Sequence, residues 1–116
     1  DSREWENRPW GWFETIARSK TFHVKILHVA PGGRLSLQSH RHRSEHWVVV
    51  KGVATVLRGD KEFVLQANEC IYIHAGEKHQ LRNEGEGEIE IIEVQTGSYF
   101  GEDDIIRYDD VYMRNI

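Results

Sequence analysis

One run of this chain carries most of its chemistry: Gln38-Ser39-His40-Arg41-His42-Arg43-Ser44-Glu45-His46-Trp47. Histidine is the commonest protein metal ligand. Here three histidines and a carboxylate lie between positions 40 and 46, and His79 follows downstream. Three or four nitrogen donors suit zinc, iron, nickel, cobalt or manganese, and positions left open on such an ion take water or substrate. On a strand, residues two apart share a face, so His40 and His42 are expected to project together. Gln38 has the same parity. A tight turn at Arg43-Ser44 should follow, and the next strand then returns either Glu45 or His46. A turn resets parity, so spacing does not choose between them. His79, after Ala75-Gly76-Glu77-Lys78, would close the site from a later strand.

Short strands are the elements that could hold such a set. Turn signals recur at Pro31-Gly32-Gly33, Lys51-Gly52, Gly59-Asp60, Ala67-Asn68-Glu69, Ala75-Gly76-Glu77 and from Asn83 to Gly87. Segments rich in Val, Ile, Leu, Phe and Tyr lie between them: residues 22–29, 47–50, 53–57, 62–65, 70–73, 79–82 and 88–94. Residues 53–57 and 62–65 flank a good hairpin turn at Arg58-Gly59-Asp60-Lys61. The spacing predicts an all-β fold, a small antiparallel barrel or jelly roll. No segment shows a long capped helical period, and no repeat or linker interrupts the chain. One domain is expected over 1–116, with an N-terminal arm over about 1–12, a barrel over about 13–96 and a tail over about 97–116. The tail is acidic at Gly101-Glu102-Asp103-Asp104 and then apolar, and it should pack on the barrel. Trp5, Trp10 and Trp12 are read as covering an open end or edge, or an oligomer interface, rather than stacking on a sugar.

Length and charge narrow the function. The 116 residues fit one domain with a real core. A net charge of −4, with 15 basic residues spread thinly, argues against nucleic acid. No apolar run approaches a membrane span. No secretory or transit pattern opens the chain, and Asp1 in place of Met points to a trimmed start. The single Cys70 fits a reducing, cytoplasmic setting and reads as a small buried filler rather than a nucleophile.

These residues resemble the cupin superfamily, whose motifs read G-x5-H-x-H-x3,4-E-x6-G and G-x5-P-x-G-x2-H-x3-N. The second motif is in register from Gly76 through His79 to Asn83, with His74 in place of the proline and Asn68 in place of the first glycine. In the first, His40-x-His42 is intact. Glu45 has the right spacing to Gly52 but follows His42 too soon, and His46 stands where cupins place their third ligand. The resemblance therefore implies His40, His42, His46 and His79 as ligands, with Glu45 as the alternative third. It narrows to type II mannose-6-phosphate isomerases through Arg8-Pro9-Trp10-Gly11, Pro31 to Gln38, the histidine run itself, Glu93-Val94-Gln95-x-Gly97 and Gly101 to Arg107. Met113 departs from the glycine usual in that family. There the cupin is usually the C-terminal domain of a bifunctional enzyme whose partner domain is a mannose-1-phosphate guanylyltransferase; these 116 residues hold no Gly-rich nucleotide loop, so the resemblance implies either a stand-alone isomerase-like cupin or an excised domain. Cupins often pair through sheet edges, which implies a homodimer.

The implied chemistry is aldose–ketose isomerisation between mannose 6-phosphate and fructose 6-phosphate. It needs a base for the proton alpha to the carbonyl, an electrophile for the enediolate and cations for the phosphate. A divalent metal, zinc first and otherwise cobalt, manganese, nickel or iron, would be the electrophile. Glu45, if free of metal, would be the base. Arg43, Arg107 and Arg114 match phosphate geometry, with Lys78 a weaker candidate. Gln38 resembles the Gln-x-His of type I isomerase zinc sites and is a candidate for touching metal or substrate. His23 and His28 read as surface or packing residues, and His74 as facing away from His79. Two other activities compete: a cupin dioxygenase-type enzyme, and a non-catalytic cupin that binds a sugar or sugar phosphate.

Overall fold

The computed structural model describes residues 4–109. Eleven strands run in the order β1 (Glu4–Arg8), β2 (Gly11–Arg18), β3 (Phe22–Val29), β4 (Leu37–His40), β5 (Arg43–Lys51), β6 (Ala54–Arg58), β7 (Lys61–Leu65), β8 (Cys70–Ile73), β9 (His79–Arg82), β10 (Ile89–Gly97) and β11 (Ile105–Asp109). A single 3₁₀ turn, Glu102–Asp104, precedes β11. The strands form two antiparallel sheets, one ordered β1-β2-β3-β10-β5-β8 and the other β11-β4-β9-β6-β7. This is a jelly-roll sandwich with free edges rather than a closed barrel. The expected all-β class holds.

Local chemistry sets the turns. β6 and β7 join through Gly59-Asp60, and Gly59 takes φ +64, as a two-residue hairpin turn requires. Gly97, at the end of β10, lies so close to the β4–β5 turn that a Cβ would sit 2.1 Å from the His42 carbonyl oxygen. β10 could not run beside that turn with any other residue there.

The core fills one end of the sandwich, and its character changes along each strand. On β10 the inward residues are Ile89, Ile91, Glu93 and Gln95, all buried. On β5, read toward its start, they are Val49, Trp47, Glu45 and Arg43, also buried. The register aligns Ile91 with Val49, Glu93 with Trp47, Gln95 with Glu45 and Gly97 with Arg43. β3 follows with Val29, Leu27 and Lys25 opposite Ile89, Ile91 and Glu93, and β9 with Leu81 and then His79. An alternation of period two thus keeps one face inward while the composition passes from aliphatic to charged. The aliphatic end stabilises the fold, and the charged end is an open cavity.

The N-terminal stretch is a β-hairpin added to the edge of the six-stranded sheet. Its tryptophans separate. Trp10 is core, Trp12 stacks on His28, and Trp5 is 63 % exposed. The tail packs against the sandwich through β11, which pairs with β4. Cys70 corrects an expectation: it is exposed. It pairs with Val48 on the outer face, and its apolar flanks, Ile71 and Ile73, take the inner face by parity. Among the described residues, no helix is long and apolar enough to cross a membrane.

Candidate metal centre

His40, Glu45 and His79 come together inside the cavity, each offering a ligand atom within 4.8 Å of the others. His40 ends β4, Glu45 is the third residue of β5, and His79 opens β9. His40 Nδ1 lies 3.6 Å from Glu45 Oε2, and His79 Nε2 lies 3.7 Å from Glu45 Oε1. All three residues are buried. His79 Nδ1–H donates to the Glu77 carbonyl at 3.0 Å, which fixes the tautomer and leaves Nε2 as a lone pair facing the cavity. Burial, helped by the Arg43 charge and by His79, pushes the His40 imidazole down to about 3. Burial likewise lowers His79, outweighing the bond to Glu77 that opposes it. Neutral imidazoles do not form ion pairs with Glu45, so these are two lone-pair donors around one carboxylate. That is the donor set a divalent cation needs.

Gln38 stands two residues before His40 on β4 and pairs directly with His79 across the ladder. Its side chain lines the same cavity, so its amide oxygen is available as a fourth donor. Glu45 is held from behind. Trp47 Nε1–H donates to Glu45 Oε1 at 3.1 Å and to Glu93 Oε2 at 3.0 Å. Gln95 Nε2–H donates to Glu93 Oε1 at 2.9 Å and to Glu45 Oε2 at 3.4 Å. Two buried carboxylates therefore share two donors. Burial, and then the Glu45 charge beside it, push the Glu93 carboxyl up to about 8.

His42 and His46 do not join this set. β4 ends at His40 and β5 begins at Arg43, so Arg41 and His42 form the turn itself. Strand parity from His40 does not extend to His42, which corrects the expectation that the two project together. The His42 side chain is 53 % exposed and its Nδ1 meets Asp104 Oδ1 at 2.8 Å. His46 falls between the inward residues Glu45 and Trp47, and it packs outside against Tyr72 with ring centroids 4.3 Å apart. Asp104 also accepts from the backbone N–H groups of Arg41 and His42, at 3.1 and 2.9 Å. Desolvation acts upward on this carboxyl, but those bonds outweigh it and hold the group below its ordinary value. Asp104 thereby fastens the tail to the β4–β5 turn.

The cavity, about 110 Å³, is lined by four cationic residues, Arg8, Lys25, Arg43 and Arg107. About 10–15 Å³ suffices for one water, so this is a ligand-sized space. Arg43 donates from Nη1 to the Phe100 carbonyl at 3.1 Å, and its Nε stands 3.6 Å from Glu45 Oε2. Ser36 Oγ, Arg43 Nε, Gln95 Oε1 and Arg107 Nε are buried without a hydrogen-bond partner, and all four residues line the cavity. Buried polar atoms are rarely left unsatisfied, so their concentration here calls for water or a polar ligand. Lys78 lies outside the lining, with its ammonium 4.3 Å from the Tyr108 ring centroid. Arg114 lies outside the described residues. His74 is exposed against Tyr72, as parity implied. Glu93, Gln95, Lys25 and Arg8 were not singled out by sequence as site residues, although Arg8, Glu93 and Gln95 stand in the segments that carried the family resemblance.

Residues 2–110 match a family described as mannose-6-phosphate isomerase C-terminal. Over 107 residues the chain is 51% identical to the xanthan biosynthesis protein XanB of Xanthomonas campestris pv. campestris, a match covering 92% of this chain and 23% of that protein. It is 52% identical, again over 107 residues, to the alginate biosynthesis protein AlgA of Pseudomonas aeruginosa, covering 92% of this chain and 22% of that protein. The chain thus spans less than a quarter of these relatives. Among solved structures, the Cnp3 cupin domain of Schizosaccharomyces pombe superposes with a TM-score of 0.72 at 11% identity, covering 74% of this chain and 64% of that one. That likeness gives the fold as cupin.

Proposed function

The chain belongs to the mannose-6-phosphate isomerase C-terminal family, and from that premise we propose that it is a metal-dependent aldose–ketose isomerase acting on mannose 6-phosphate and fructose 6-phosphate. One observation carries the reading: a neutral two-histidine, one-carboxylate donor set opens into a cavity ringed by cations. His40, Glu45 and His79, with Gln38 as a fourth donor, would hold the ion, and zinc is the first choice for such donors. The ion's contribution is electrophilic, drawing charge onto the carbonyl oxygen.

This reading makes Glu45 a ligand and moves the base to Glu93, the other carboxyl in the lining. Burial raises this carboxyl above its ordinary value, and a carboxyl so raised can take the C2 proton and return it to C1. Trp47 and Gln95 orient it. Arg43, packed beside Glu45, faces the reacting end and stabilises enediolate charge. The phosphate, several bonds away, falls to Arg107, Arg8 and Lys25, whose charges line the rest of the cavity. Pairing of two chains through the outer face of the six-stranded sheet is also proposed, supported by exposed Trp5, Val48 and Val50. A monomeric mass by light scattering at micromolar concentration would contradict it.

The direct test strips the metal, reloads zinc, cobalt, manganese or nickel and assays fructose 6-phosphate formed from mannose 6-phosphate. No turnover with any of them sinks the isomerase. Saturable thermal stabilisation by the sugar phosphate without turnover would instead mark a binding domain. Two histidines and one carboxylate also match iron oxygenases. Substrate-dependent oxygen uptake by the iron-loaded chain would favour that reading, which leaves the ring of cations without a purpose.

A further inference from the structure

On the outer face of the six-stranded sheet, a second buried histidine stands among carboxylates. His28, on β3, is 6 % exposed. Its ring lies flat on the Trp12 indole, with centroids 3.7 Å and planes 6° apart. Nε2 meets Glu14 Oε2 at 3.3 Å, so Nε2 is the N–H donor there and Nδ1 is the ring nitrogen left to ligate. Nδ1 has no hydrogen-bond partner. It lies 3.5 Å from Glu90 Oε2 and 3.8 Å from Glu88 Oε1.

A lone pair held between two carboxylates is repulsive unless positive charge stands among them. Both oxygens stand beyond the roughly 2.7–2.9 Å of a charge-assisted hydrogen bond, and the spacing fits two donors on one ion. Metal–nitrogen and metal–oxygen bonds of about 2.0–2.2 Å place tetrahedral neighbours roughly 3.4 Å apart. The interior set shows a similar spacing, 3.6 and 3.7 Å. Glu14 behind the ring adds the carboxylate–histidine–metal arrangement that orients ligating imidazoles and raises their basicity.

We propose that His28 Nδ1, Glu88 and Glu90 bind a divalent cation on the outer face, distinct from the ion of the cavity. Glu90 is the direct cross-strand partner of His28, and Glu88 lies two residues before it on the same side. The two carboxylate side chains are 33 % and 41 % exposed, so they can rotate onto an ion. Among the described residues, only the interior set already brings three donor atoms within 4.8 Å of one another. The outer ion therefore draws Glu88 and Glu90 together, tying the segment before β10 to β3. One imidazole and two carboxylates suit zinc, cobalt or manganese.

Equilibrium dialysis of the metal-free chain against zinc, read by elemental analysis, tests this without any activity assay. Two ions per chain are expected in the wild type. One is expected in His28→Gln and one in the Glu88→Gln/Glu90→Gln double variant, whose changes are partly exposed and spare the fold if His28→Gln does not. In the wild type, the 15N resonance of His28 Nδ1 should shift on zinc addition. Equal ion counts in the wild type and the double variant would overturn the site.

Discussion

Within one short stretch, Gln38, His40, Glu45 and Trp47 face the interior, whereas His42 and His46 face out. Their chemistry differs accordingly. Burial holds the His40 imidazole neutral, and a shared carboxylate and an indole N–H fix the geometry around it. Outside, His42 serves as a latch on Asp104 and His46 as packing against Tyr72. Identical side chains a few residues apart are thus lone-pair donors available inside the cavity on one face and structural contacts on the other. Proximity in sequence did not gather the site. Three strands from two sheets did.

The contrast can be broken most directly at the ligands. His40→Ala or His79→Ala should abolish metal binding in the cavity and lower the proposed isomerase turnover by at least about 10²–10³-fold, the scale of losing a principal electrophilic partner. His46→Ala should leave both within a few-fold. Equal losses from His40→Ala and His46→Ala, measured by metal content and turnover, would erase the distinction between faces. Trp47→Phe keeps most of the volume but removes the N–H shared by Glu45 and Glu93. Metal affinity should fall about 10–100-fold, as when an outer-shell partner is lost; competition with a chelator measures it. Asp104→Ala releases the tail that carries Arg107. KM for the sugar phosphate should rise several-fold or more while metal content is unchanged, and Asp104→Asn, which keeps part of the bonding, should recover some of it.

A last effect, read in stability rather than activity, concerns Glu93. Its folded-state value, about 8, lies above its ordinary value, so between roughly 4.5 and 8 the folded apo-chain holds a proton that the unfolded chain releases. Stability is then full below that window and declines as pH rises through it, by of order 1 kcal/mol per pH unit. Glu93→Gln should flatten that slope in denaturant melts of the metal-free chain. An unchanged slope would mean that Glu93 is ionised alongside Glu45.

Much of the fold could be read directly. Residues 70–73 and 79–82 are strands with those bounds, and Gly59-Asp60 is a hairpin turn, because short β-branched runs between turn residues leave few alternatives. Glu93 and Gln95 were harder. On β10, Ile89 and Ile91 point inward while Ile92 and Val94 point outward, so both faces read as apolar and hydropathy gives no inward parity. Cys70 was misread for a related reason: its apolar neighbours Ile71 and Ile73 are buried, and it takes the other face. His42 failed for a different one, since an assumed strand through 40–42 is in fact a strand end and a two-residue turn.

The sequence by itself determined the all-β class, the family and a metal-type cluster with His40 and His79 in it, because residue types and turn spacing are local properties. Tertiary structure alone decided which face each side chain took. It placed His79 across the ladder from Gln38, set Glu93 beside Glu45 and brought Asp104 against His42. Those outcomes depend on where β4 stops and on how β5 registers against β10. Cross-strand register is a property of the packed sheets, and no stretch of the chain carries it alone.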